Sequence, residues 1–585
     1  MSSLEDYFSE EVLLKTLCSA RLAISRRLHD EQFFQRLAPM KRSGAVSEDI
    51  LELFPPRSRW SRTPKSQRGR DGSTFAERKK ALFVTVKKLR QKNDPRDQMW
   101  ILRQNQLISS IRRRILTDSK VQLSRPKMLL SRKASSSSEY RALASYGLED
   151  KILMGQAASY LRETFDSVFL KCSFAFRPRR DKGPAPTHHD AFGEIISFWD
   201  QFHNSKKLES IWVAECDIKG FFDTVSHSIV IREFDHRVEE LALKNICVDS
   251  RARVLILAYL KSYTYGQYAR GEALKIFRST NTTGEVKDRG EDLQVFYQRP
   301  EVIAYGIPQG GAISCFIANL LLHKADESVM KHSGIGRGDL LYVRYCDDMV
   351  LLGENSVAVA RALEDYKNAL KDLRLPIHEF GKDTYGLEFW HAKSKGPYSW
   401  GPERGSIPWM SFVGYQLRHD GQIRVRPSSM QKELDKQTRL VRSFLWRVMP
   451  AISRGVRLRR KESLINSLRS RLQAMSVGRR PNYVYQWGDP KECWCAGFGC
   501  LVDKRLPQDQ WIARKQLRHL DRGRGVGLRL AQKRVTRFPA QGSKLIQPAK
   551  RRPEPFPGKP HSYAAFLESG NGKSGKTGAV LSGAA

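Results

Sequence analysis

Leu341-Tyr342-Val343-Arg344-Tyr345-Cys346-Asp347-Asp348-Met349-Val350-Leu351-Leu352 places an apolar run on each side of two adjacent acids. The pattern predicts a β-hairpin with carboxylates at its bend. An Asp-Asp pair in a hairpin is, taken alone, more often a solvated turn. Here the flanks are unbroken hydrophobic strands, and buried strands normally turn on Gly or Asn. Two neighbouring carboxylates also repel unless a cation neutralises them. The bend therefore reads as a cation site.

A third acid stands upstream. In Ile211-Trp212-Val213-Ala214-Glu215-Cys216-Asp217-Ile218-Lys219-Gly220-Phe221-Phe222-Asp223 an apolar strand delivers Asp217 at its end, and Gly220 permits a sharp turn toward a helix. Phosphoryl transfer asks for such acids. Hard divalent cations take carboxylate oxygens, and a pair of them about 3.5–4 Å apart activates a hydroxyl and neutralises a leaving pyrophosphate.

With a further segment between them, these boxes resemble those of reverse transcriptases. Tyr345-Cys346-Asp347-Asp348 is similar to the Tyr-x-Asp-Asp box, and the Asp217 segment to the first acidic motif. Gly306-Ile307-Pro308-Gln309-Gly310-Gly311-Ala312-Ile313-Ser314, followed by a helical run, is similar to the Pro-Gln-Gly segment. Cys172-Ser173-Phe174-Ala175-Phe176-Arg177-Pro178-Arg179-Arg180 resembles a segment of group II intron-like enzymes. Tyr140-Arg141-Ala142-Leu143 resembles the fingers motif before it. Ser411-Phe412-Val413-Gly414-Tyr415 resembles the primer grip. The likeness runs over about residues 121–475, with the boxes in the family's order.

That resemblance implies an α+β right-hand polymerase with fingers, a palm built on an antiparallel sheet, a helical thumb and a helical N-terminal extension. It implies two Mg²⁺ ions, with Mn²⁺ as substitute, on Asp217, Asp347 and Asp348, completed by the main-chain carbonyl of Ile218. Phe222 takes the sugar-gate position, where a ring clashes with a ribose 2′-hydroxyl; a plain core role is the alternative. Gln309 would contact the incoming nucleotide, and Arg141, with Arg132 or Lys133, would clamp its triphosphate. Arg177, Arg179, Gly414, Tyr415 and Lys382 would line the nucleic acid. The implied partners are an RNA template, a DNA product and deoxynucleoside triphosphates, and the chain is compatible with a homo-oligomer.

Bulk composition agrees with a polyanionic partner. The chain has 585 residues, 101 Lys and Arg against 62 Asp and Glu, and a net charge of +39. So large a surplus opposes compaction unless an anion balances it. No apolar run approaches the roughly 20 residues of a membrane helix. The N-terminus lacks a secretory core, and nine scattered cysteines suit a reducing cytosol, so a cytoplasmic location is expected. Residues 451–560 hold 26 Lys and Arg against 7 Asp and Glu, interleaved with Trp487, Trp494 and Trp511, as a nucleic-acid-binding surface would.

The expected organisation is a basic helical extension over 1–120, fingers and palm over 121–427, a basic helical thumb and C-terminal region over 428–545, and a disordered tail over 546–585. Residues 279–292 read as a polar loop. Gly523, Gly525 and Gly527, set among arginines, read as a basic turn. Cys493, Cys495 and Cys500 lack a fourth ligand at ordinary zinc spacing and read as small hydrophobes. Within the resemblance, the N-terminal region and Gln516-Leu517-Arg518-His519-Leu520-Asp521-Arg522 look like bacterial defence-associated enzymes, which copy a dedicated non-coding RNA in anti-phage immunity. A group II intron-type maturase acting as an RNA-binding protein is the alternative. An RNA polymerase of the same palm type is disfavoured by Phe222.

Overall fold

The computed structural model describes residues 3–37, 50–61, 75–92, 94–116, 121–133, 138–178, 185–205, 210–280, 284–332, 334–335, 338–381, 389, 391–453, 461–477 and 511–536. Arg179, Lys382, Trp487, Trp494, Cys493, Cys495, Cys500 and the 546–585 tail lie outside the described residues. In chain order the elements begin with α1 (Leu4–Tyr7), α2 (Glu10–Leu37), α3 (Phe75–Lys92) and α4 (Gln98–Leu116). Next come β1 (Lys127–Arg132), β2 (Tyr140–Ser145), α5 (Leu148–Phe165), α6 (His188–Ser205) and β3 (Ile211–Cys216). They continue with α7 (Phe221–Thr224), α8 (His227–Leu243), α9 (Arg251–Lys261), α10 (Arg270–Ser279), α11 (Gly290–Leu293) and α12 (Ala312–Met330). After these follow β4 (Leu340–Tyr345), β5 (Asp348–Gly353), α13 (Ser356–Asp372), β6 (Lys395–Trp400) and β7 (Trp409–Phe412). The series closes with β8 (Tyr415–Arg418), β9 (Ile423–Val425), α14 (Pro427–Ser453), α15 (Lys461–Val477) and α16 (Ile512–Thr536).

Two compact units emerge, one from residues 1–17 and 101–413, the other from 18–100 and 414–585. The first is built on a four-stranded antiparallel sheet of order β4-β5-β3-β6. Five of the six residues of β5 are buried, so the strand is covered on both faces, and its sequence is accordingly apolar from Met349 onward. Helix α12 begins Ala312-Ile313-Ser314-Cys315-Phe316-Ile317-Ala318 and is apolar nearly all round, the mark of a fully buried helix. It packs against α5, α8 and α13. Strands β1 and β2 form a separate antiparallel hairpin. In this unit the described part of 279–292 is a loop between α10 and α11, tied to β2 by main-chain bonds. The Glu285 N–H donates to the Ser138 carbonyl at 2.7 Å and the Tyr140 N–H to the Glu285 carbonyl at 3.0 Å, after which α11 begins. Its polar side chains include Arg289, which joins an ionic cluster described below.

The second unit joins the β8–β9 hairpin to three helices whose core is Val441, Phe444, Val448, Leu468, Leu472, Leu528, Ala531 and Val535. Here Gly523, Gly525 and Gly527 lie inside the long helix α16, not in a turn. Their reason is close packing. A methyl on Gly523 would sit 2.8 Å from Leu434 Cδ2, and one on Gly527 would sit 2.9 Å from Val441 Cγ2. Glycines one turn apart let α16 approach α14, and that gain outweighs their poor helix propensity.

Candidate active site

The antiparallel sheet brings the three acids together. Strands β4 and β5 pair as far as Tyr345 with Asp348, leaving Cys346 and Asp347 as the two-residue bend. Strand β3 lies on the other side of β5, with Cys216 opposite Met349. Asp217 directly follows Cys216 and Asp348 directly precedes Met349, so the two acids flank the last pair of this ladder. Asp348 is exposed and Asp347 and Asp217 are partly so, which opens the group to solvent. Burial holds the Asp217 carboxyl above its ordinary range; the nearby Asp347 charge adds to this, while Lys393, Lys133 and Arg141 oppose it.

Main-chain bonds fix Asp217 firmly. Its N–H donates to Ser394 Oγ at 3.0 Å, and its carbonyl accepts from the His378 N–H at 2.9 Å. The Lys219 N–H donates to the Pro376 carbonyl at 2.7 Å, so Ile218 and Ile377 form a bridge between these bonds. In such a pair the intervening residue turns its own carbonyl the opposite way. The Ile218 carbonyl therefore faces away from Ile377. The ammonium of Lys393 stands 3.9 Å from Asp217 Oδ2 and 2.9 Å from His378 Nε2.

The residues expected around a nucleotide sit on the same unit. Gly220 takes φ +57 and starts the short helix α7, which presents Phe222. The Ile307 N–H donates to the Phe222 carbonyl at 2.7 Å and the Gly306 N–H to the Val225 carbonyl at 2.8 Å, so the Gln309 loop is stitched to this turn. The Gln309 carbonyl accepts from the Ala144 N–H at 3.1 Å, tying the loop to β2. Arg141 is exposed on β2, and Lys133, just past β1, is bonded to Glu139 at 2.7 Å. Both cations act on Asp217 and on Asp223, so they lie near the acids.

Reading by sequence missed two arginines. Arg289, from the 279–292 loop, lies over Gly220 so closely that a methyl there would sit 2.7 Å from its Nε. It meets Asp292 at 3.1 Å, Asp223 at 3.5 Å and Glu139 at 3.8 Å. Asp223 is buried and its carboxyl is pushed up to about 6, burial outweighing the opposing charges of Arg289, Arg141 and Lys133. Nothing in a polar insertion announces such a partner. The second is Arg344, which is fully buried within β4. A charged residue inside an apolar strand was a signal, because arginine is almost never fully buried unpaired.

Other expected residues sit elsewhere. The Arg177 fork donates to the carbonyls of Leu170, Ser173, Asp166 and Phe169 and to the Asp166 carboxylate, a structural task closing the chain after α5. Gly414, at φ +90, and the buried Tyr415 belong to the second unit. Among the described residues, the triplet with metal-ligand atoms all within 4.8 Å is Glu240, His323 and Glu327. Arg237 already donates to both of those carboxylates at 2.6 Å, so a cation there would have to displace it.

A four-stranded antiparallel sheet with three acids at one end, a glycine-rich loop beside it and cations nearby is the arrangement a polymerase palm requires. Residues 132–380 match the model of the family "Reverse transcriptase (RNA-dependent DNA polymerase)", so this part of the chain carries a reverse transcriptase domain. Protein YkfC of Escherichia coli (strain K12) is 23% identical over 257 residues, 39% of this chain and 55% of that protein. The chain thus spans about half the length of that curated relative. Among solved structures, apo telomerase from Candida tropicalis aligns with TM-score 0.35 and 12% identity over 78% of this chain and 74% of that one. Telomerase from Candida albicans, in complex with a fragment of telomeric RNA, aligns with TM-score 0.30 and 13% identity over 86% and 80%. No helix among the described residues is long and apolar enough to cross a membrane.

Proposed function

We propose that Asp217, Asp347 and Asp348, with the Ile218 carbonyl, hold the divalent cations of the polymerase, and that the chain makes cDNA on an RNA template from deoxynucleoside triphosphates. The observation that supports this is the β3–β5 register, in which Cys216, next to Asp217, lies opposite Met349, next to Asp348. The donors fit Mg²⁺: all are hard oxygens, and the mutual effect of Asp217 and Asp347 is the like-charge tension a cation relieves. When bound, Mg²⁺ (or Mn²⁺) would supply Lewis-acid activation of a primer hydroxyl and neutralise the leaving pyrophosphate.

The protein's own residues do the rest. Arg141 and Lys133 present donors to a triphosphate. Phe222, braced edge-on by Phe221 at 5.3 Å between ring centroids, stands at the sugar and disfavours a 2′-hydroxyl. Gln309 is held to β2 through its carbonyl, which leaves its amide to meet the nucleotide. The basic second unit, with Arg518, Arg522 and Lys533 exposed along α16, supplies phosphate contacts to the template and product. The finer assignment, copying a dedicated non-coding RNA in anti-phage defence, is supported by the sequence resemblance described above.

The test is incorporation of labelled deoxynucleotides by the purified full chain on a primed RNA template. D347N and D348N should each lose roughly 10³-fold in rate, since several kcal/mol of charge stabilisation disappear. If both variants polymerise like the wild type, the assignment of the acids fails.

A further inference from the structure

Under the acidic bend lies a polar cluster fully enclosed in the first unit. Arg344 and Asp326 are each 0% exposed. The guanidinium Nε donates to Asp326 Oδ1 at 2.6 Å and Nη2 to Oδ2 at 2.5 Å, a two-pronged pair. The remaining nitrogen, Nη1, donates to the carbonyl of Cys346 at 2.9 Å and to Asn319 Oδ1 at 3.3 Å. Asp326 also accepts from the Tyr342 hydroxyl at 2.8 Å. Asn319 is itself pinned, its Nδ2 donating to the Ala175 carbonyl at 2.8 Å. Cys346 is the first residue of the bend and has φ +60, a left-handed conformation that side chains other than Gly seldom adopt.

We propose that Arg344 is the positioning residue of the acidic bend: through its bond to the Cys346 carbonyl it holds the turn in the shape that aims Asp347 and Asp348 at Asp217. This rests on the reading that those acids hold divalent cations. Stability alone does not account for the cluster. Enclosed ion pairs can often be exchanged for well-packed apolar side chains at no loss of stability. What an apolar replacement cannot provide is a donor for the Cys346 carbonyl. A guanidinium is also the one side chain able to grip both oxygens of Asp326 and still offer a third donor in a fixed direction. The two prongs on Asp326, which is carried by the rigid helix α12, anchor that donor.

The experiment uses the full chain, with Mn²⁺ binding read by the free-ion electron paramagnetic resonance signal, thermal unfolding, and steady-state kinetics. The apolar triple variant D326L/Y342F/R344M removes the cluster without orphaning a charge. It should melt within about 2 °C of the wild type. It should bind Mn²⁺ roughly 10- to 100-fold more weakly, as loss of a group that orients metal ligands does, and lower kcat with KM for the deoxynucleotide little changed. R344K keeps a cation for Asp326 but cannot reach the Cys346 carbonyl as well, and should show the same loss of Mn²⁺ affinity even if the triple variant fails to fold. Wild-type Mn²⁺ affinity in R344K, or in a folded triple variant, overturns the proposal. D347N separates the two readings. If D347N binds Mn²⁺ as the wild type does, the metal assignment itself falls, and this proposal with it; if only D347N loses the ion, Arg344 alone is refuted.

Discussion

Replacing Asp223 by Asn tests how the charges beside the nucleotide site are balanced. The carboxyl is buried and pushed up to about 6, with burial the largest cause and Arg289 the strongest opposing charge. An Asp in the unfolded chain titrates near 4, so the gap of about two pH units corresponds to about 3 kcal/mol. The native state holds this proton more tightly than the unfolded chain does. Asp223 therefore contributes most to stability below about pH 4, and that contribution is lost as pH rises through about 6, then stays flat. An amide resembles the protonated acid in shape and cannot ionise. Relative to the wild type, D223N should thus gain about 3 kcal/mol between pH 4 and pH 7. Urea unfolding of both proteins at four pH values across that window measures the difference. A difference that stays flat, or that moves toward the wild type as pH rises, would refute the claim that burial outweighs Arg289. The stakes reach the chemistry, because Asp223 follows Phe222 and its partner Arg289 covers Gly220.

Phe222→Ala should open the sugar site: the ratio of kcat/KM for deoxynucleotides over ribonucleotides should fall by about 10- to 100-fold, the worth of one lost steric contact. An unchanged ratio would return Phe222 to a plain packing role. Two glycine substitutions should move stability in opposite directions. G527V forces a side chain to within 2.9 Å of Val441 and should cost about 1–3 kcal/mol in spite of better helix propensity. G155A, in the middle of α5 with open space around the new methyl, should gain about 0.5–1 kcal/mol. Thermal unfolding of both settles the signs.

The legible parts of this protein were those in which local pattern and chemistry coincide. Apolar runs broken by acids placed β3, β4 and β5, and the acids at their ends were the ones the register brought together. Helix α12 was readable because a helix that is apolar all round has nowhere to go but the core. The glycines of α16 were misread because glycine announces a turn by its own freedom, whereas here it answers the surface of another helix, which no local pattern records. Arg289 escaped for a related reason. Its value lies in standing over Gly220, a residue 69 positions earlier, and it sits in a stretch whose polarity suggested solvent.

Arg344 and Arg289 bear on one physical problem, and that explains why both escaped a reading aimed at acids. A site that gathers aspartates must keep them ionised and correctly aimed before any cation arrives, in surroundings dry enough to raise the proton affinity of Asp217 and Asp223. On Asp217 the opposing charges are Lys393, Lys133 and Arg141, and on Asp223 they are Arg289, Arg141 and Lys133. Arg344 acts on their aim from beneath, through the main chain of the bend. Arg289 balances Asp223, Asp292 and Glu139 beside the turn that follows Asp217. Lysine could balance the charge in either place, but its single ammonium cannot hold several oxygens in set directions at once. The acids identify the chemistry, and the arginines set the geometry in which those acids can perform it.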